Sequence, residues 1–290
     1  DRLRLLFKIF EIKDGEFSSI EKENILIALD NVKILDPACG SGAFPIGVLQ
    51  KIVHILQKLD PNAIWWKRRQ IARIRNSAVK NLLKEKLESS SVEYARKIGV
   101  IQNSLYGVDI QPIAAEISKL RCFLSLIVDE NIDENKPNRG IEPLPNLEFK
   151  FVTANTLIKL TDNSNQNDEF NSIEELQLLE ELRNEYIQSS GKSKDKLKRS
   201  FLEIREKIIK DQSGLWGNQD SRAYKLSNWN PFGHEKSDWF DSSWMFGIEN
   251  FDIVIGNPPY GISIKGAYRE NVEKILGKVP DYEIYYYFIE

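Results

Sequence analysis

The feature that most constrains this chain is a short β-branched run, residues 32–35, that ends in Asp36-Pro37-Ala38-Cys39-Gly40-Ser41-Gly42-Ala43-Phe44. Apolar residues then recur at helical spacing through Ile46, Leu49, Val53 and Leu56. A strand that turns through glycines into a helix is the opening unit of a parallel sheet, because the helix must carry the chain back before the next parallel strand can start. The same turn points backbone N–H groups and the positive end of a helix dipole at whatever lies in front of it. Gly40 and Gly42 remove the side chains that would block that approach. The pattern predicts a nucleotide-type cofactor site. It excludes the dinucleotide fingerprint, which needs a third glycine three positions after the second, where this chain has Pro45.

Three further runs read as buried parallel strands: residues 105–110, 149–152 and 251–255. After the second, residues 112–128 carry Ile113, Ile117, Leu120, Leu124 and Ile127 at helical spacing. The expected fold class is therefore α/β, a doubly wound Rossmann-like sheet, interrupted by two helical insertions. The first, residues 61–99, is rich in Lys and Arg, among them Lys67, Arg68, Arg69, Arg73, Arg96 and Lys97. It either flanks the functional cleft or is a solvated helix face. The second insertion contains two helical limbs. Ile173, Leu176, Leu179, Leu182 and Tyr186 mark one, and Leu197, Phe201, Ile204 and Ile208 mark the other, so an antiparallel hairpin is predicted, with acidic and basic faces in mutual pairing. A stretch with Trp216, Trp229, Trp239 and Trp244 follows, readable as a satellite core or as a binding surface. The expected divisions are an N-terminal helical segment at 1–31, a cofactor half at 32–160, the hairpin and Trp-rich insertion at 161–250, and a last strand, loop and helix at 251–290.

Composition narrows the functional classes. Forty basic against forty-three acidic residues give a net charge of -3, which excludes a polycation that coats nucleic acid. Two cysteines, Cys39 and Cys122, have neither a disulfide framework nor zinc spacing, so no metal is expected. No apolar run approaches the roughly 20 residues of a membrane span. A soluble, cytoplasmic protein is expected, and the start at Asp1 without Met suggests a segment of a longer one.

The residues with chemical potential sit at the ends of the strands. Asp109 closes the second run, where a carboxylate suits a ribose diol, or else caps the helix that begins near Pro112. Asn155 follows the third run and could offer its amide to an adenine edge, or simply form a turn. The fourth run leads into Gly256-Asn257-Pro258-Pro259-Tyr260. Two adjacent prolines fix the backbone, and the Asn257 side-chain oxygen and the Pro258 carbonyl are two acceptors for the hydrogens of a planar amino group. The Tyr260 ring can stack on the base that carries it.

Asp36 to Phe44 taken with Asn257 to Tyr260 resembles the S-adenosylmethionine-dependent amino-group DNA methyltransferases, in the N6-adenine branch where the cofactor motif precedes the catalytic one. Phe44-Pro45-Ile46-Gly47 and Trp244-Met245-Phe246-Gly247 are similar to large bacterial restriction-modification and phage-defence methylases. The resemblance covers roughly residues 30–160 and 240–290. It implies that Asp36, Ala38, Gly40 and Gly42 surround the methionine part of S-adenosylmethionine, that Asp109 holds the ribose, and that Asn155 meets the adenine. It further implies that Asn257, Pro258 and Tyr260 hold a target adenine flipped out of double-stranded DNA. Residues 281–288 resemble the aromatic helix that follows the catalytic loop, with Phe288 at the cofactor. The family sheet has about seven strands against the four readable here, so an incomplete sheet is expected. No target-recognition domain is readable, which places DNA recognition outside this segment and leaves open whether the segment is active alone. Cytosine C5 chemistry is excluded, because neither cysteine has the Pro-Cys context of that nucleophile. Two alternatives remain: methylation of a protein glutamine or an RNA base, and a non-catalytic module that binds cofactor or DNA in a defence complex.

Overall fold

The computed structural model describes residues 2–8, 15–73, 80–81, 84–85, 87–88, 90–130, 133–135, 137–140, 146–160, 172–189, 191–214, 218–261, 263–277 and 284–288. Helix α1 (Ser19–Asn31) starts on a capping box in which the Ser18 hydroxyl and the Glu21 carboxylate satisfy each other's backbone N–H groups. It leads into β1 (Ile34–Asp36), followed by α2 (Ala43–Leu59), α3 (Ile64–Arg73) and α4 (Val92–Asn103). Strand β2 (Leu105–Asp109), helix α5 (Pro112–Ile127) and strand β3 (Phe151–Thr153) continue the winding. Helices α6 (Ile173–Gln188), α7 (Gly191–Gln212), α8 (Arg222–Asn228) and α9 (Ser242–Phe246) precede β4 (Ile253–Val254) and α10 (Gly266–Leu276). The four strands form one parallel sheet in the order β3-β2-β1-β4. The chain thus winds outward from β1 to β3 and then returns to the other side of β1, which puts the topological switch point between β1 and β4.

Alternate residues of each strand supply opposite cores. Ile34, Leu105 and Phe151 pack with Leu49, Leu56, Ala95 and Ile101 on the face covered by α1 to α5. Leu35, Tyr106, Val108 and Val152 pack on the other face with Leu179, Tyr186, Phe201, Ile208, Trp229, Trp244 and Phe246. The hairpin of α6 and α7 forms with the expected apolar residues inward, except Ile173 at its start, which is exposed. One pair forms across the hairpin as expected, Glu175 with Lys207 at 2.9 Å, whereas Lys194 turns to Glu148 outside it. Trp229 and Trp244 are not a satellite core, since they join the cover of the sheet's second face, while Trp216 lies outside the described residues.

Two expectations are corrected in physical terms. The stripe Ile113, Ile117, Leu120 and Leu124 of α5 is exposed, and Ala114, Ala115, Ser118 and Cys122 face inward instead. Small residues are needed there because the helix lies against the glycine loop: the Ser118 hydroxyl donates to the Gly40 carbonyl at 3.1 Å. Among the described residues of the basic stretch, several cations are committed to partners inside the fold. Arg69 and Arg73 hold the fully buried Asp30 at 2.9 and 2.6 Å, and Gln70 takes its other oxygen. Asp30 precedes β1, so these cations sit at the amino ends of the strands, opposite the loops. Buried Arg96 donates to the Asp60 carbonyl, and Lys97 to that of Ser125. At the start of β3, the buried Lys150 ammonium lies 3.7 Å from the centre of the Tyr106 ring, and burial pushes it well below the ordinary lysine range. Residues 284–288 form a 3-10 turn in which Tyr287 is buried and Phe288 packs with Leu157, Ile264 and Val272. Residues 281–283 lie outside the described residues.

Candidate active site

The carboxyl ends of the strands bring together segments that are far apart in the chain. Strand β1 pairs with β4 in parallel, Ile34 opposite Ile253 and Leu35 opposite Val254, and the Ile255 N–H continues the ladder to the Leu35 carbonyl at 2.9 Å. Asp36 therefore stands beside Gly256, one residue before Asn257. The approach is so close that a Cβ on Gly256 would lie 2.7 Å from Asp36 Oδ1 and 3.3 Å from Pro37 Cδ. Gly256 is a requirement of the site that the sequence reading missed. The signal was a glycine ending an apolar run, which in a strand often marks a close backbone approach.

The loop after β1 is pinned from several sides. The Cys39 N–H donates to the Val108 carbonyl at 2.9 Å, and the Gly40 N–H donates to Asp109 Oδ2 at 2.8 Å. Asp109 Oδ1 accepts the Gln111 N–H at 2.8 Å, so this carboxylate ties the start of α5 to the glycine loop. Each of its oxygens keeps lone-pair capacity for a further donor. The Thr156 hydroxyl reaches the Pro37 carbonyl at 2.7 Å, another link absent from the sequence reading. Gly40 and Gly42 both hold left-handed backbone, with φ of 52° and 80°. Gly42 caps α2 without a side-chain hydrogen bond, so the first-turn N–H groups of that helix are available to a ligand. Space for a Cβ at Gly40 is open, whereas at Gly42 the Ser118 side chain fills it.

Asp36 is buried, and one of its oxygens accepts the Ala38 N–H at 3.2 Å. Burial, reinforced by repulsion from Asp109, pushes its pKa up to about 6. A buried carboxyl of this kind suits a cationic group, which would favour its ionised form. Burial also pushes the Cys39 thiol up to about 12, which makes it an inert packing residue. At the end of β3, Asn155 is buried. Its Oδ1 accepts the Leu157 N–H at 3.2 Å, and its Nδ2 donates to the Tyr268 hydroxyl at 3.2 Å.

The Asn-Pro-Pro-Tyr loop projects toward solvent. Tyr260 is 67% exposed, and its hydroxyl donates to Asn257 Oδ1 within the loop. Asp36, Asp109 and Asn155 thus stand at the ends of three adjacent strands, with Asn257, Pro258 and Tyr260 across the switch point from Asp36. Ala38, Gly40 and Gly42 lie in the loop that follows Asp36.

A doubly wound parallel sheet with a glycine loop on one strand and Asn-Pro-Pro-Tyr on its neighbour defines a Rossmann-like methyltransferase domain. The sequence profile of the Eco57I restriction-modification methylases matches residues 103–290, about two thirds of the chain, and the chain belongs to that family. It is also similar to a protein of Methanocaldococcus jannaschii that carries the name of a type II restriction enzyme and methyltransferase. The two are 28% identical over 360 aligned positions, which take in 100% of this chain and 28% of the relative. The chain thus spans little more than a quarter of that protein's length.

Proposed function

We propose that this chain is the catalytic segment of a site-specific DNA methyltransferase that moves a methyl group from S-adenosylmethionine to N6 of an adenine in a restriction-modification or defence system. The observation that carries the proposal is the pairing of β1 with β4 and the close approach of Gly256 to Asp36, which support a reading in which the glycine loop and Asn257 serve one crevice. Both halves of a methyl transfer need such a crevice, because the donor and the acceptor must meet in line.

When bound, S-adenosylmethionine supplies an electrophilic methyl group on a sulfonium. Asp36 would hold its cationic amino acid end and the Ala38, Gly40 and Gly42 backbone would surround it. Asp109 would accept from the ribose hydroxyls, and Asn155 would meet the adenine. Asn257 Oδ1 and the Pro258 carbonyl would take the two hydrogens of the target amino group, and Tyr260 would stack on its ring. Those two acceptors strengthen as the nitrogen gains positive charge, so they favour the transition state over the ground state. The exposed loop supports a target that arrives from outside, as a flipped base does. Double-stranded DNA would be recognised by parts of the protein outside this segment, because Arg69, Arg73, Arg96 and Lys97 of α3 and α4 are engaged internally. Among the described residues, no helix is long and apolar enough to cross a membrane; action on DNA would place the protein in the cytoplasm.

The test is methyl transfer from labelled S-adenosylmethionine by the full-length protein to duplex DNA, RNA and a glutamine-containing protein, with the modified product identified. N6-methyladenine in DNA is expected. Label in RNA or glutamine would replace the substrate, and binding of cofactor and DNA without transfer would make the chain a non-catalytic module.

A further inference from the structure

Strand order places the three proposed cofactor contacts in sequence across the sheet, Asp36 on β1, Asp109 on β2 and Asn155 just after β3. The base would then lie at Asn155. A primary amide has one edge that presents an N–H and an oxygen lone pair side by side, and this edge matches the donor and acceptor of an adenine edge. Its orientation is settled here by the Leu157 N–H, which can only donate and therefore identifies the oxygen.

That paired edge is taken. The Tyr268 hydroxyl lies 3.2 Å from Asn155 Nδ2 and 3.3 Å from Oδ1, so it faces both atoms at once. Tyr268 belongs to α10, the helix that follows the Asn-Pro-Pro-Tyr loop. Ile264 and Val272 anchor this region on Leu157, with Tyr268 packed alongside. Nothing in the sequence pattern marks this tyrosine, which is 113 positions from its partner.

We infer that Tyr268 is an affinity-setting residue of the adenine subsite: its hydroxyl occupies the edge of Asn155 that the cofactor's adenine needs, so the two compete. This rests on the cofactor reading above. The base must displace one hydroxyl contact before it can pair with Asn155, and cofactor occupancy is thereby linked to the helix that follows the target-binding loop.

The test is calorimetric binding of S-adenosylhomocysteine and of S-ribosylhomocysteine, which lacks the base, to the whole chain. Tyr268→Phe keeps the packed ring and removes only the hydroxyl. It is expected to bind S-adenosylhomocysteine about fivefold more tightly, the size of one neutral hydrogen bond, with unchanged affinity for S-ribosylhomocysteine. In an Asn155→Ala background the Tyr268→Phe effect should vanish. Unchanged or weaker binding of S-adenosylhomocysteine by Tyr268→Phe would overturn the inference while leaving the cofactor reading intact. Failure of the wild-type chain to bind S-adenosylhomocysteine would overturn both.

Discussion

Replacing Gly256 by alanine tests how tightly β1 and β4 meet. The new Cβ would stand 2.7 Å from Asp36 Oδ1, where ordinary contact begins at 3.4 Å, so something must move by more than half an ångström. Asp36 has little freedom to move, being buried and bonded to the Ala38 N–H. The yielding partner is β4, a strand with Ile253 and Val254 exposed along the sheet. Overpacking of this kind costs about 1–3 kcal/mol. Gly256 does not have a positive φ, so alanine also restricts the unfolded chain and returns about 0.4–1 kcal/mol. The net expectation is a loss of about 1–2 kcal/mol, visible as a lower urea midpoint at unchanged slope. Binding of S-adenosylhomocysteine should weaken as well, because the displaced atoms line its proposed site. Removing the obstructing carboxylate with Asp36→Ala should relieve the strain, so the double variant should be more stable than the sum of the single effects predicts, by about 1 kcal/mol or more. An unchanged midpoint for Gly256→Ala, or strict additivity in the double variant, would refute the reasoning.

The pKa of Asp36, raised to about 6, gives two opposite pH trends. Between its unfolded value near 4 and about 6 the folded chain holds the extra proton, so stability should fall as pH rises through that window and then level off. S-adenosylhomocysteine affinity should instead improve through about pH 6 as the carboxylate ionises, and Asp36→Asn should flatten both curves in parallel urea and calorimetric titrations. Lys150, held well below the ordinary lysine range, binds its proton less readily folded than unfolded, so stability should rise as pH climbs toward that range. Lys150→Met should stabilise by about 1–2 kcal/mol at neutral pH and abolish this slope, since it removes a buried ammonium that, among the described residues, meets the Tyr106 ring; a destabilised variant would assign that lysine a partner beyond the ring. Asn257→Ala should cut methyl transfer by the full-length protein by about 100-fold or more while leaving cofactor binding nearly intact. Asp109→Ala should weaken cofactor binding, and equal losses of affinity in the two variants would reject the division of roles.

The elements most legible in the sequence are those built from adjacent residues. The run into Asp36, the glycines at 40 and 42, and the apolar run into Asn257 are local signals, and each ends at the carboxyl side of a strand as read. Strand ends shifted by a residue or two, as for β3, which starts at Phe151 because residues 148–150 make a turn. Helix α5 shows where periodicity stops being informative. Its large apolar stripe and its small-residue stripe recur at the same period, and only the closeness of the glycine loop decides that the small one faces inward. Nor does composition reveal that Arg69 and Arg73 are committed to Asp30, since a basic run reads the same whether its partners are phosphates or a buried carboxylate. Thr156 and Tyr268 are ordinary residue types in ordinary contexts, and their parts in the site come from contacts across more than a hundred positions.

The helices between β3 and β4 have a bearing on how such a chain can be shortened. Read as an insertion, residues 161–250 invite removal by anyone seeking a minimal catalytic unit. Yet Leu35, Tyr106, Val108 and Val152 bury their side chains against Leu179, Phe201, Trp229 and Phe246 from this region. Excision would open one whole face of the sheet to water, forfeiting about 1.5–3 kcal/mol for each large apolar side chain uncovered, and the product would aggregate rather than simplify. Trimming is confined to residues outside that cover, and sequence drift within the region is limited by the shape of the sheet beneath it.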